Sequence, residues 1–220
     1  MTEETNNYIP ALKYDWLTRF YDPILNLTMP EKKFKAALIL QAGIEEHHKV
    51  LDFGCGSATL SMMAKQMSPN AKISGVDIDP NNIAIAKSKI SEFQTDIHID
   101  KYDGVVLPYE DNSYDRVISS LVFHHLNAGQ KSNSLMEIKR VLKPGGELHI
   151  ADWCKAKNMV MRGAFYLVQI LDGFETTTDN VKGLLPKYIG EAGFEDVRET
   201  RFFNTAFGTL GLIRAVNTAE

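Results

Sequence analysis

Two glycines, Gly54 and Gly56, bracket Cys55 directly after a short apolar run, and two acids flank that loop. Asp52 stands two residues before Gly54, and Asp77 follows Gly56 by 21 residues. Without a Cβ, each glycine lets the backbone turn tightly and approach a ligand, while a helix beginning just beyond presents free N–H groups. Two glycines alone need be no more than a strand-to-helix turn. The acids point further, because a carboxylate some 20 residues on, at the end of the next strand, is placed to accept ribose hydroxyls. A dinucleotide fingerprint requires glycine three residues after Gly56, where this chain has Thr59. Asp52 would also repel a pyrophosphate. An adenosine carrying a cationic amino-acid tail suits both acids better.

The chain that must position these groups has 220 residues, 44% of them hydrophobic, with 15 Gly and 8 Pro, which excludes disordered and collagen-like classes. Its net charge of −4, with both signs scattered, gives no nucleic-acid-binding surface. Cys55 and Cys154 lie outside any ligand spacing, so neither a disulfide framework nor a metal site is expected. The start of the chain is acidic and polar rather than signal-like, and no run reaches the length of a membrane span. A soluble, cytoplasmic protein is the expectation.

Short apolar runs alternate with helical patterns from Lys49 onward, the mark of a parallel sheet covered on both faces. Strands are predicted at residues 49–53, 72–77, 96–100, 115–121 and 147–152, and a closing hairpin at 195–203 and 207–216. Helical stripes run through Leu60, Met63, Ala64 and Met67, then Ile83, Ala86, Ile90 and Phe93, then Leu135, Ile138, Val141 and Leu142, the last stopped by a turn at residues 143–146. Val160, Ala164, Leu167 and Leu171 predict another helix, and Val181, Leu184, Leu185, Tyr188, Ile189 and Ala192 one more, closed by Gly193. The first 45 residues, dense in aromatics such as Tyr14, Trp16 and Tyr21, read as a helical extension that either seals the core or forms a lid. Residues 46–220 then form the core of one domain.

With these elements in place, the chain resembles the class I S-adenosylmethionine-dependent methyltransferases, in their ubiquinone/menaquinone-biosynthesis-like group. The resemblance rests on Val50-Leu51-Asp52-Phe53-Gly54-Cys55-Gly56-Ser57-Ala58, Gly75-Val76-Asp77-Ile78-Asp79-Pro80, Asp103 before Leu107-Pro108-Tyr109, Phe123-His124-His125-Leu126 and Leu142-Lys143-Pro144-Gly145-Gly146, all in family order. It covers residues 49–152 well and the flanks loosely, and it departs at Ala58, where the family usually has a third glycine. It implies a Rossmann-like, doubly wound, seven-stranded α/β sheet, mostly parallel with the last strand antiparallel. It further implies that Asp52, Gly54, Cys55 and Gly56 hold the methionine moiety of S-adenosylmethionine, Asp77 the ribose, and Ile78 one side of the adenine. Asp103 and Gly104 would meet the adenine amino edge, the Leu121 carbonyl the cofactor's amino group, and Tyr21 is a candidate to face the sulfonium.

A small-molecule methyl acceptor is the implied partner, and the apolar segment of residues 159–171 hints at a quinone-like, phenolic or lipid-like one. His125, and secondarily His124, could take a proton from it, a histidine near neutral pKa being suited to that task. Two other readings compete: a S-adenosylmethionine-binding subunit without catalysis, and an NAD-linked oxidoreductase disfavoured by Thr59 and Asp52.

Overall fold

The computed structural model describes residues 31–218; Tyr14, Trp16 and Tyr21 of the amino-terminal extension lie outside the described residues. In chain order the described elements are α1 (Glu31–Ala42), β1 (Lys49–Phe53), α2 (Thr59–Met67), β2 (Lys72–Asp77), α3 (Pro80–Glu92), β3 (Ile97–Lys101) and β4 (Tyr114–Ser120). After a 3₁₀ turn (Phe123–His125) come α4 (Ala128–Val141), β5 (Leu142–Trp153), α5 (Met159–Asp172), α6 (Phe174–Lys182), α7 (Leu185–Glu191), β6 (Glu195–Thr205) and β7 (Gly208–Val216). The seven strands form one sheet in the order β3-β2-β1-β4-β5-β7-β6. The β1–β4 and β4–β5 pairs are parallel, whereas β7 runs antiparallel to both β5 and β6. This is the Rossmann-like sheet expected from the sequence, with its last strand reversed.

Alternation along the strands builds a core on each face. Val50, Ile73, Ile118 and Leu212 pack beneath α1, α2 and α3, together with Phe34, Leu38, Leu60 and Ile83. Leu51, Val76, Val117 and Ile213 face Leu135, Ile138, Leu185 and Ile189 on the other side. Strand order reverses between β1 and β4, so their carboxyl ends open a crevice where ligands of such sheets bind. A buried polar cluster ties α1 to the sheet. His149, fully buried, meets Gln41 Nε2 through Nδ1 at 3.1 Å and Glu147 through Nε2 at 3.0 Å. Arg214 grips the same Glu147 at 2.6 and 3.0 Å, and these donors hold its carboxyl well below the usual range.

Several expectations shift in register or phase. Residues 143–146 are not a free turn but part of β5, where the β4 pairing jumps from Tyr114↔Leu142 to Arg116↔Glu147. Asn217 makes this possible: its side chain donates to the carbonyls of Lys139, Leu142 and Lys143, while Gly145 N–H and Gly146 C=O pair with its backbone. In α2 the buried face is Leu60, Ser61 and Ala64, with Met67 exposed, and Phe93 is likewise exposed beyond α3. The stripe expected in α5 has the wrong phase, since Phe165, Val168 and Gln169 face inward while Val160 and Leu167 face out. Almost every position of that helix is apolar, so periodicity cannot choose a side; Phe165 is drawn in by its ring contact with Trp153. The single helix expected through residues 181–192 is two, parted at Gly183, whose φ of +72° ends α6.

Gly75 in β2 lies where a Cβ would come within 2.7 Å of Ile99 Cδ1 and 2.9 Å of Cys55 Sγ. Gly75→Ala should therefore destabilise the domain by about 1–3 kcal/mol through overpacking, lowering Tm by roughly 2–4 °C per kcal/mol. Thermal unfolding followed by circular dichroism checks this, and an unchanged Tm contradicts it.

Candidate active site

The loop after β1 runs in the left-handed region at three positions, with φ of +68° at Gly54, +52° at Gly56 and +61° at Ala58. Gly54 also passes so close to the tip of β4 that a Cβ there would lie 2.5 Å from the Val122 side chain. Four of the five backbone N–H groups of residues 54–58 are spent within the protein. Gly54 and Cys55 N–H both donate to Val76 C=O, Ala58 N–H to Cys55 C=O, and Gly56 N–H to Asp77 Oδ2 at 2.8 Å. A pyrophosphate would therefore find few free donors here, which counts against the dinucleotide reading. Cys55 turns its side chain inward against Gly75, and burial pushes its thiol above the ordinary range. Only its backbone can face a ligand.

Asp52 and Asp77 end adjacent strands as buried carboxylates, 1% and 8% exposed. Ser61 donates to Asp52 at 2.5 Å. Burial pushes the Asp52 carboxyl up to about 6, against the lowering effects of the Ser61 hydroxyl and the Lys35 ammonium. Burial likewise raises Asp77, partly offset by N–H bonds from Asp79 and Gly56. A site that raises two carboxylates favours a positively charged or hydroxyl-bearing ligand, which supplies what burial removed. S-Adenosylmethionine offers both, and the spent loop donors match its lack of phosphate, so the residues present fit it.

Around the tips of β2 and β3 the remaining expected residues converge. Ile78 lies next to Gly104 (φ +85°), where a Cβ would be 3.8 Å from Ile78 Cγ2. Asp103 is exposed and closes a turn by accepting from Val105 and Val106 N–H at 2.8 and 2.9 Å, bonds that hold its carboxyl below the usual range. One of its oxygens is therefore structural. Leu121 follows β4 with φ +60°, an uncommon conformation for a branched side chain, held by its N–H bond to Ala151 C=O at 2.9 Å. That twist ends the ladder where the Leu121 carbonyl is expected to meet a ligand.

The third buried carboxylate, Asp152 at the tip of β5, organises the strand tips on the other side of the crevice. Its Oδ2 receives Val122 and Phe123 N–H at 3.1 and 2.8 Å. Its Oδ1 receives Trp153 N–H at 2.7 Å, His124 Nδ1 at 2.8 Å and Asn180 Nδ2 at 3.4 Å. A carboxylate has no hydrogen to offer, so the His124–Asp152 bond places the proton on Nδ1. His125 packs on His124 with ring centroids 3.9 Å apart and planes tilted by 41°, and burial together with His124 holds its pKa well below 6.5. Trp153 meets the His124 ring edge-on at 6.4 Å and Phe165 at 5.2 Å, completing an aromatic wall.

Sequence reasoning missed two members of this arrangement. Asn180 bridges Asp152 and the Trp153 carbonyl from α6, and nothing in its surroundings in the chain marks it. Lys131, fully buried, donates to Thr176 C=O at 2.9 Å and reaches Asp179 at 3.5 Å, tying α4 to α6. A lysine four residues before Leu135, on the helix's apolar stripe, was the available signal. Two features lie elsewhere. A cavity of about 720 Å³ opens between α2 and α3, lined by Met62, Met63 and Phe93 among others. Glu45, His47 and His48 bring ligand-capable atoms within 4.8 Å of one another before β1, at the opposite end of the sheet.

Comparison with known proteins matches this geometry to a family. A family model described as a methyltransferase domain matches residues 50–146. An uncharacterized protein of Haemophilus influenzae is 36% identical over 202 residues, covering 86% of this chain and 80% of that one. A demethylmenaquinone methyltransferase of Thermus thermophilus is 31% identical over 120 residues, 54% of this chain and 52% of that enzyme. The chain belongs to the class I S-adenosylmethionine-dependent methyltransferases. A crystal structure of a S-adenosylmethionine-dependent methyltransferase from Aquifex aeolicus shares the fold with a TM-score of 0.66 at 23% identity, over 94% of this chain and all of that one. A phosphoethanolamine N-methyltransferase from Haemonchus contortus, solved with S-adenosylmethionine, gives a TM-score of 0.68 at 16% identity, over 85% of this chain and 53% of that one.

This methyltransferase thus carries the expected sheet and motifs, while it spans only about half the length of the demethylmenaquinone methyltransferase it matches. Two outcomes test the site. Asp77→Ala should weaken S-adenosylmethionine binding by about tenfold or more, since a carboxylate–hydroxyl bond is worth roughly 1.5–3 kcal/mol; calorimetry reads this, and an unchanged Kd means the ribose is held elsewhere. Ala58→Gly should raise stability by about 1 kcal/mol, because alanine at positive φ costs what glycine does not; an unchanged or lower denaturation midpoint refutes it.

Proposed function

We propose that this methyltransferase moves a methyl group to a small, apolar acceptor of quinone-like, phenolic or lipid-like type, at oxygen, carbon or nitrogen. The observation that carries this reading is the wall of His124, Trp153 and Phe165 beside a neutral, largely desolvated His125 at the tips of β4 and β5. The partial likeness to demethylmenaquinone methyltransferases supports the same acceptor class. Two free cysteines suit a reducing, cytoplasmic setting.

When bound, S-adenosylmethionine supplies a methyl group already activated by its sulfonium. The chain's own task is alignment and exclusion of water, to which good orientation contributes roughly 7–11 kcal/mol. In this reading Asp77 receives the ribose hydroxyls, Ile78, Asp103 and Gly104 border the adenine, and Asp52, Gly54, Cys55 and Gly56 border the amino-acid tail together with the Leu121 carbonyl. His125 takes the acceptor's proton where the acceptor atom carries one, and His124, fixed on Asp152, is the ring against which His125 packs.

The test is release of S-adenosylhomocysteine by the full-length protein against a panel of quinols, phenols and amines. Turnover is expected with an apolar acceptor; tight cofactor binding without turnover across the panel favours a regulatory subunit instead. His125→Ala should lower kcat by about 10²–10⁴-fold, the usual contribution of a general base, with cofactor Kd unchanged. Because the His125 pKa is lowered, its neutral form persists below pH 6.5, so the acid limb of the kcat profile should fall below that pH and vanish in the variant. Full retained activity reduces His125 to a structural role.

A further inference from the structure

Helix α5 has a second face that the site does not use. Its inner side, Phe165, Val168 and Gln169, is buried against the sheet, whereas Met159, Val160, Tyr166, Leu167, Ile170 and, just beyond it, Phe174 are 48–85% exposed. At about 100° per residue, Met159, Val160, Tyr166, Leu167 and Ile170 fall within an arc of roughly 120°, on one side of a helix about 21 Å long. A contiguous apolar stripe of this kind marks an interaction surface. Its charge is one-sided. Lys155, Lys157 and Arg162 fall at its start, and the first acid after Asp152 is Asp172, in a chain whose net charge is −4. Arg162 lies 4.1 Å over the Tyr166 ring, so one cation is built into the stripe itself.

We propose that this face docks on an anionic lipid surface, with α5 lying in the headgroup layer. An exposed apolar helix face with cations at its start binds such surfaces by apolar burial and by attraction to anionic headgroups. A second copy of the chain is the competing occupant of this face, and the oligomeric state separates it from a lipid surface. Among the described residues no helix is long and apolar enough to cross a membrane, so the contact is peripheral. The inner face of the same helix carries Phe165, which touches Trp153 in the acceptor wall, so docking would bring that wall beside the lipid. The proposal concerns a surface, not the acceptor, and its test contains no acceptor.

Full-length protein is centrifuged with vesicles of phosphatidylglycerol and, separately, of phosphatidylcholine. Partition onto phosphatidylglycerol is expected to be about tenfold stronger, and to weaken severalfold in about 0.5 M salt as the charges are screened. Leu167→Glu/Ile170→Glu should lower that partition by about tenfold with S-adenosylmethionine binding and the unfolding transition unchanged. Lys155→Glu/Lys157→Glu, outside the helix, should abolish the preference for phosphatidylglycerol, and decides the matter if the first variant misfolds. No partition of the wild-type chain overturns the proposal, as does equal partition of wild type and both variants. Light scattering that finds a dimer dissociated by Leu167→Glu/Ile170→Glu assigns the face to a second copy and overturns it too.

Discussion

Three carboxylates buried at the carboxyl ends of parallel strands are the constraint around which this molecule is arranged. Asp52, Asp77 and Asp152 end β1, β2 and β5 and are nearly excluded from solvent. A buried carboxylate is tolerable only when donors or positive charge replace its lost hydration. Each of the three meets that demand differently, and the difference sets its work.

Asp152 is saturated. Three backbone N–H groups, a histidine and an asparagine converge on it, so it fixes the 3₁₀ turn, the tip of β4 and α6 relative to one another. Asp52 and Asp77 are less well supplied, as the upward drift of both carboxyls records. Unsatisfied demand beside a loop most of whose N–H groups are already spent selects against phosphate and for a ligand bearing ammonium and hydroxyl groups. Cofactor choice in this fold follows from hydrogen-bond accounting as much as from shape.

Backbone strain collects in the same place. Ala58 and Leu121, neither of them glycine, sit at positive φ on either side of the crevice, and Gly54 passes Val122 too closely for any side chain. Such conformations persist only where surrounding contacts over-determine them. Here the neighbouring β-ladder and the Asp152 anchor do so. Strained backbone thus gathers at the glycine loop and the tip of β4, whereas the tip of β5 is flanked by aromatic rings and the separate helices α5 and α6.

The five parallel strands, the glycine loop and the acids at strand tips were legible along the chain, because each is a local pattern: a buried strand is continuously apolar, and a turn at positive φ asks for glycine. His124 and His125 were legible as candidates, but the carboxylate beneath His124 lies 28 residues away and joins it only because β5 pairs with β4. Asn180, Lys131 and the clamp of Asn217 on residues 143–146 were hidden for the same reason. The phase of α5 could not be read from a helix that is apolar nearly all round; contact with Trp153 decided it. Sequence alone thus determined which elements form and which acids stand at their ends, through steric and solvation rules acting within a few residues. Only tertiary structure decided which polar groups share a proton and which apolar face is left to the solvent, because those outcomes depend on desolvation by segments remote in the chain.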